Sequence, residues 1–341
     1  MKLSLEQIKS ITIGAVRVEE EQGKIRFFRF TQEQEALYKR ASIELNRSFY
    51  DRCVATAGIR MMFKTNSQTL GLVVEVLKCT SRRYFSFDLF VNGKAMGALD
   101  NFSEDALPRN YTEADLPLGR FSKEFALGAG EKEICIYFPW SVCPLLEEIS
   151  LEEGSFIEAV KPAKKLLAFG DSITQGYDAL RPSMRYAARL ADHLGAEEIN
   201  KGIGGEIFFP PLAELKEDFS PDYITVAYGT NDWGRQTQES FYSTCKAFYE
   251  AISKHYPTAK IFAITPIWRA DYTRTRDFGP FKRVEEIIGE AVSHLPNVTV
   301  LRGFDLVPKE EKYFADLRLH PNDNGFEYYA ENLYNELRKT L

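Results

Sequence analysis

The period of the hydrophobic pattern changes near residue 150, and that change divides the chain into two differently built parts. Before it, apolar residues alternate with polar ones. In YFSFDLFV, Phe85, Phe87, Leu89 and Val91 alternate against Ser86 and Asp88. Such a period of two puts one set of side chains on one face of a strand. Asn92-Gly93 follows at once, a pair suited to the positive φ angles of a type I′ hairpin turn. EICIYFP repeats the pattern with Ile134, Ile136 and Phe138, and GIRMMFKT and LGLVVEVL supply two further strands. No helical pattern of comparable length interrupts them. Residues 1–150 are therefore expected to form an all-β, jelly-roll-like antiparallel sandwich.

LEEGSFIEAVKPAKK (151–165) is polar, contains Gly154 and Pro162, and reads as a linker. In 166–341 the apolar runs KLLAFG, YITVAYG, KIFAITP and VTVLRG become continuous, as in parallel strands covered on both faces. EEIN near 197–200 is a weaker fifth strand. Amphipathic helices lie between them: Phe241, Cys245, Phe248 and Ile252 share one face, as do Val284, Ile287, Ile288 and Ala291. A third set is Phe326, Tyr329, Ala330, Leu333 and Leu337. Alternating strands and helices predict a doubly wound α/β domain.

At 341 residues the chain is long for one core and sufficient for two domains. A net charge of −6 without a basic stripe argues against nucleic acid as a partner. No apolar run reaches the length of a membrane span. MKLSLEQIKSITIG shows no secretory h-region. Five scattered cysteines (53, 79, 135, 143 and 245) without C-x-x-C read as free thiols of a cytoplasmic protein. Self-association into a homo-oligomer stays open.

Ligands of an open parallel sheet bind beyond the carboxyl ends of its strands. There the sequence places Asp171 and Ser172, then Asn200, Gly202, Gly204 and Gly205. Asn231, Asp232 and Trp233 follow, then Trp268 and Arg269, and finally Asp316 and His320. A serine needs a base to become nucleophilic, and imidazole is suited to neutral pH. The tetrahedral intermediate needs donors aimed at its oxyanion. A carboxylate on the far imidazole nitrogen fixes the tautomer. Ser172 could instead cap a helix, Gly205 make a turn and Asn231-Asp232 a turn and cap. Their convergence in chain order on one edge favours the chemical reading. His193, His255 and His294 fall in charged helical stretches and read as surface residues.

GDSITQG, NKGIGG, GTND and LHPND are similar, in order, to the four blocks of the SGNH/GDSL hydrolases. The resemblance covers roughly 164–341 and implies a flavodoxin-like α/β/α fold. It implies Ser172 as nucleophile, His320 as general base, and an oxyanion hole from the Ser172 and Gly205 amides and the Asn231 side chain. The family's last block is Asp-x-x-His, but Leu317 stands three residues before His320. Either an extra loop residue lets Asp316 reach the ring, the preferred reading, or a Ser–His dyad operates. Asp323 is expected to cap the final helix.

The domain order resembles the two-domain carbohydrate esterases, which suggests an O-acetylated sugar as the small-molecule substrate. Trp233, Trp268 and Arg269 then either line the acyl or sugar site or serve only in packing. GIGGEI is not G-x-G-x-x-G, and zinc spacings, H-E-x-x-H, the P-loop and G-x-S-x-G do not occur. The chemistry is expected to need neither metal nor coenzyme. The competing readings are a lipase or thioesterase with the same machinery and a non-catalytic carbohydrate-binding protein.

Overall fold

A computed structural model describes residues 1–341. The first half contains two antiparallel sheets. One is ordered Thr12–Ile13, Arg60–Thr65, Lys132–Tyr137, Ser86–Val91 and Lys94–Asp100, with Glu158–Ala159 also pairing with Arg60–Thr65. The other is ordered Arg17–Glu21, Lys24–Phe28, Val142–Leu151, Thr69–Lys78 and Gly119–Ala126. Alternation places Phe85, Phe87, Leu89, Ile134 and Ile136 in a shared core with Leu72, Val74 and Ile149. The hairpin turn at Asn92-Gly93 has φ of 49° and 75°, as the type I′ geometry requires.

Helices also occur in this half, contrary to the all-β expectation. Gln32–Glu44 is helical, opened by a reciprocal capping box between Thr31 and Gln34. Its apolar stripe is thin, so periodicity gives little sign of it. The helix turns away from the sandwich: Tyr38 joins Phe30, Phe49 and Cys53 in a core shared with the second half. Within 151–165, Glu158–Ala159 extends a sheet and Lys164 already begins the next one.

The second half is built on five parallel strands: β1 (Lys164–Gly170), β2 (Ala196–Asn200), β3 (Tyr223–Ala227), β4 (Lys260–Ile264) and β5 (Val298–Leu301). Their order is β2-β1-β3-β4-β5, the doubly wound, flavodoxin-like order with its switch point beside β1. Gln238–His255 and Lys282–Val292 cover one face with their apolar stripes. Tyr186–Leu194 and Asp323–Leu337 cover the other. No helix is long and apolar enough to cross a membrane.

Candidate active site

β1 ends at Gly170, where a side chain would run into Thr174 and the Ala227 carbonyl. Asp171 caps the next turn by accepting from the Ile173 amide at 2.9 Å. Ser172 begins the four-residue helix Ser172–Gln175, which Gly176 closes in the left-handed region at φ 113°. The elbow needs both glycines because the turn leaves no room for Cβ: at Gly176 it would strike Arg185. It holds Ser172 at 5% exposure, with Oγ 2.9 Å from His320 Nε2.

Asp316 reaches His320 despite the extra residue. Leu317 takes up the excess length in a left-handed conformation, φ 58°. Asp316 Oδ1 accepts from the amides of Arg318 (3.0 Å), Leu319 (2.7 Å) and His320 (3.1 Å). This knot leaves Oδ2 free to meet His320 Nδ1 at 2.9 Å. An ionised carboxylate only accepts, so Nδ1 carries the ring proton and Nε2 is free to accept from the Ser172 hydroxyl. Burial would raise the Asp316 pKa, but the hydrogen bond and charge of His320, with the amides, hold it well below the usual carboxylate range.

A second carboxylate, unforeseen from the sequence, faces the same nitrogen. Asp178 Oδ2 lies 3.3 Å from His320 Nδ1, with its side chain fully buried. Its other partners come from the sandwich half. Arg82 donates to both carboxylate oxygens, at 2.5 and 2.9 Å, and Tyr84 donates at 2.6 Å. Tyr111 donates to the Asp178 carbonyl at 2.6 Å, and Trp140 to that of Ala179 at 2.8 Å. The β-rich half thus supplies part of the catalytic wall. No local motif marks Asp178, because its partners are about a hundred residues away in sequence.

In the loop after β2, Gly205 adopts φ 77°, and its amide finds no acceptor within the chain. Asn231 donates one side-chain hydrogen to the Glu206 carbonyl at 2.9 Å, leaving the second for a ligand. Asp232 holds this loop rigidly, accepting from the Phe208 and Gly229 amides at 3.0 and 2.9 Å. Burial pushes its carboxyl up to about 6, and that of Asp171 to about 7. Beneath the loop, the Glu206 carboxyl accepts from Tyr38 and Tyr228, each at 2.7 Å. Burial raises it to about 8, against those two hydrogen bonds.

Asn200, Gly202 and Gly204 shape the same loop. Asn200 donates to the Thr174 carbonyl at 2.7 Å and accepts from the Gly202 amide at 2.8 Å. A Cβ at Gly204 would press on the Tyr177 ring. Arg29, fully buried, reaches across from the first half to the carbonyls of Asn200 and Gly202, both at 3.0 Å.

Residues 168–328 match the model of the GDSL-like lipase/acylhydrolase family. This segment is a GDSL-like lipase/acylhydrolase domain. Four sequence blocks, the fold and the family match agree that this domain is of the SGNH/GDSL serine hydrolase type. Among solved structures it is similar to a salicylyl-acyltransferase from a tetracycline biosynthetic pathway: TM-score 0.78, 20% identity, covering 96% of this chain and 94% of that one. A Bacteroides ovatus protein described as a GDSL-like lipase gives TM-score 0.77 and 20% identity over 99% and 97%. A family two carbohydrate esterase from Cellvibrio japonicus gives 0.68 and 16% over 99% and 97%. At these identities the likenesses establish the two-part fold. Curated protein sequences give no match.

Three expected substrate contacts are instead buried in this GDSL hydrolase. Trp233 is 1% exposed and donates to the Gly279 carbonyl at 2.8 Å. Trp268 packs on Phe314, ring centroids 5.1 Å apart. Arg269 is committed to Asp271 at 2.6 Å and to the Thr230 carbonyl at 3.0 Å. The final helix is capped by Asn322, whose side chain accepts from Gly325 at 3.0 Å, and Asp323 occupies its first turn. Asp323 instead accepts from the Leu180 amide at 2.8 Å.

Asp178, Asp316 and His320 also place ligand atoms within 4.8 Å of one another. They suit proton handling better than a metal. A cation there would compete with Arg82 for Asp178 and with the Nδ1 proton for His320.

Proposed function

We propose that this GDSL hydrolase is a serine esterase that cleaves small acyl esters through an acyl-enzyme on Ser172, acting on O-acetyl groups of a carbohydrate. The observation that carries the reading is the continuous relay Ser172–His320–Asp316, with both links at 2.9 Å. Ser172 Oγ attacks the carbonyl carbon while its proton passes to His320 Nε2. Asp316 stabilises the imidazolium. The Ser172 and Gly205 amides and the free Asn231 hydrogen receive the developing oxyanion. Collapse breaks the carbonyl–alkoxide bond, and the Nε2 proton goes to the leaving alcohol. Water, deprotonated by the same nitrogen, then releases the acid and restores Ser172.

A sugar ester as substrate is supported by the likeness to family two carbohydrate esterases, one of which spans nearly the whole chain. A fluorophosphonate probe followed by peptide mapping tests the nucleophile. Labelling is expected at Ser172 and lost in His320→Ala, together with p-nitrophenyl acetate hydrolysis. Labelling that persists in His320→Ala would remove the base from the reading.

A second reading is acyl transfer to an acceptor other than water. Its support is the salicylyl-acyltransferase, which matches over 96% of the chain. Product partitioning between water and added alcohols separates the two.

A further inference from the structure

The mouth beside the oxyanion loop is cationic in a protein whose net charge is −6. Arg52 donates to the Gly204 carbonyl and Arg235 to that of Gly205. Arg52 Nη1 is 3.4 Å, and both terminal nitrogens of Arg235 are 3.8 Å, from where a Cβ on Gly205 would stand. Each arginine also lines an open cavity. The one at Arg52 is about 560 Å³ and includes Arg26 and Lys78 with a single acid, Asp51. The one at Arg235 is about 540 Å³ and includes Arg274 and Arg276 with a single acid, Asp277.

Most of these charges are unpaired. No carboxylate lies within ion-pair distance of Arg52, Lys78, Arg235 or Arg274, although the chain forms 36 such contacts elsewhere. Arg26 and Arg276 do have partners, Glu21 at 3.4 Å and Asp271 at 3.3 Å. Burial, and then the neighbouring Arg47, depress the Arg235 pKa below its usual value. Like charges brought together without counter-ions raise one another's energy, and an anion relieves that cost. Both guanidiniums already spend one donor on a backbone carbonyl, which fixes their heads, and each retains others for a ligand.

We propose that this rim recognises an anionic group, a carboxylate or a phosphate, carried on the ester substrate itself close to the scissile carbonyl. Arg52 and Arg235 hold the anion on the Gly205 side, while Ser172 attacks from the other. Such a substrate is an acidic ester, for example one on an acidic or phosphorylated sugar, rather than a neutral one. This specificity rests on the esterase reading of the Ser172 site.

The test compares matched esters that differ only in charge. On the acyl side these are 4-nitrophenyl hydrogen succinate and 4-nitrophenyl methyl succinate. On the alcohol side they are 4-acetoxybenzoate, 4-acetoxyphenyl phosphate and the neutral 4-acetoxybenzamide. The anionic member of at least one set is expected to have kcat/KM higher by about 10- to 100-fold, as one or two charge-assisted hydrogen bonds provide. The preference should shrink with added salt and fall in Arg235→Gln and in Arg274→Gln, the latter a residue that does not touch the oxyanion glycines. Which set responds tells the acyl from the alcohol side, and the benzoate–phosphate comparison tells carboxylate from phosphate. Equal or faster turnover of the neutral esters, with Ser172→Ala inactive, overturns the anion site and leaves the esterase standing. Absence of Ser172-dependent turnover on every ester overturns both.

Discussion

Asp316→Asn separates the two carboxylates that share His320 Nδ1. Their distances, 2.9 Å for Asp316 and 3.3 Å for Asp178, are nearly equal. At an effective dielectric of about 20, a unit charge at these distances attracts an imidazolium with roughly 6 and 5 kcal/mol, before desolvation. The difference lies in what else each carboxylate does. Arg82 donates to both oxygens of Asp178, at 2.5 and 2.9 Å, so its guanidinium cancels most of the field that Asp178 would project onto the ring. Asp316 is bound by neutral backbone amides and retains its full charge. Asp316 should therefore dominate the catalytic effect. Replacing the triad aspartate by Asn costs about 10⁴ in kcat where no other carboxylate is near. Here the residual field of Asp178 should limit the loss to roughly 10²–10³ in kcat/KM, or about 3–4 kcal/mol.

Asp178→Asn should do the reverse, lowering kcat/KM by about tenfold or less but destabilising the fold more. It leaves the largely buried Arg82 unpaired, a loss of about 3–5 kcal/mol when one partner of a buried pair is removed. The assays are p-nitrophenyl acetate hydrolysis and urea denaturation of both variants. The reasoning is refuted if Asp316→Asn retains activity within about threefold of wild type, or if Asp178→Asn has the larger effect on kcat.

Three more outcomes are expected. Asn231→Ala should lower kcat by about 10²–10³, with KM little changed, as removal of one oxyanion donor does; steady-state kinetics with p-nitrophenyl acetate check it. Glu206 titrates near 4.5 unfolded and about 8 folded, so between those values the native state holds a proton that the unfolded state has lost. Its contribution to stability is full below pH 4.5 and is lost as pH rises toward 8, with a slope up to about 1.4 kcal/mol per pH unit; Glu206→Gln should flatten that slope in urea titrations. Leu317→Gly should leave stability within about 1 kcal/mol of wild type, because relief of the left-handed conformation offsets the added freedom of the unfolded chain. Leu317→Val should destabilise by about 1–2 kcal/mol in the same assay, since a β-branched residue resists that conformation more strongly.

Four strands of the sandwich, the five parallel strands and the chemical edge could be read from the residue pattern alone, whereas strands such as Arg17–Glu21, Gly119–Ala126 and Val142–Leu151 could not. Alternation at Phe85–Val91 records which side chains enter the sandwich core, and continuous runs such as KLLAFG record apolar burial on both faces, so they can be read without coordinates. The same holds for Ser172, Gly205, Asn231 and His320, because a parallel sheet delivers the ends of its strands to one edge. The helix at Gln32–Glu44 was announced only by its capping box, and its thin apolar stripe hid it from periodicity. Asp316 was legible as a candidate, but its reach depended on one φ angle at Leu317 that composition does not specify. Trp233, Trp268 and Arg269 occupy positions that follow strand ends, yet sequence position does not say which way a side chain turns, and the fold turned these inward. Asp178, Arg82 and the arginine pair at Gly205 were decided by tertiary structure alone. Asp178 with Arg82, and Arg52 with Gly204, join opposite halves of the chain, while Arg235 meets Gly205 from a later loop of the same half, and contacts between distant segments leave no periodic trace in either.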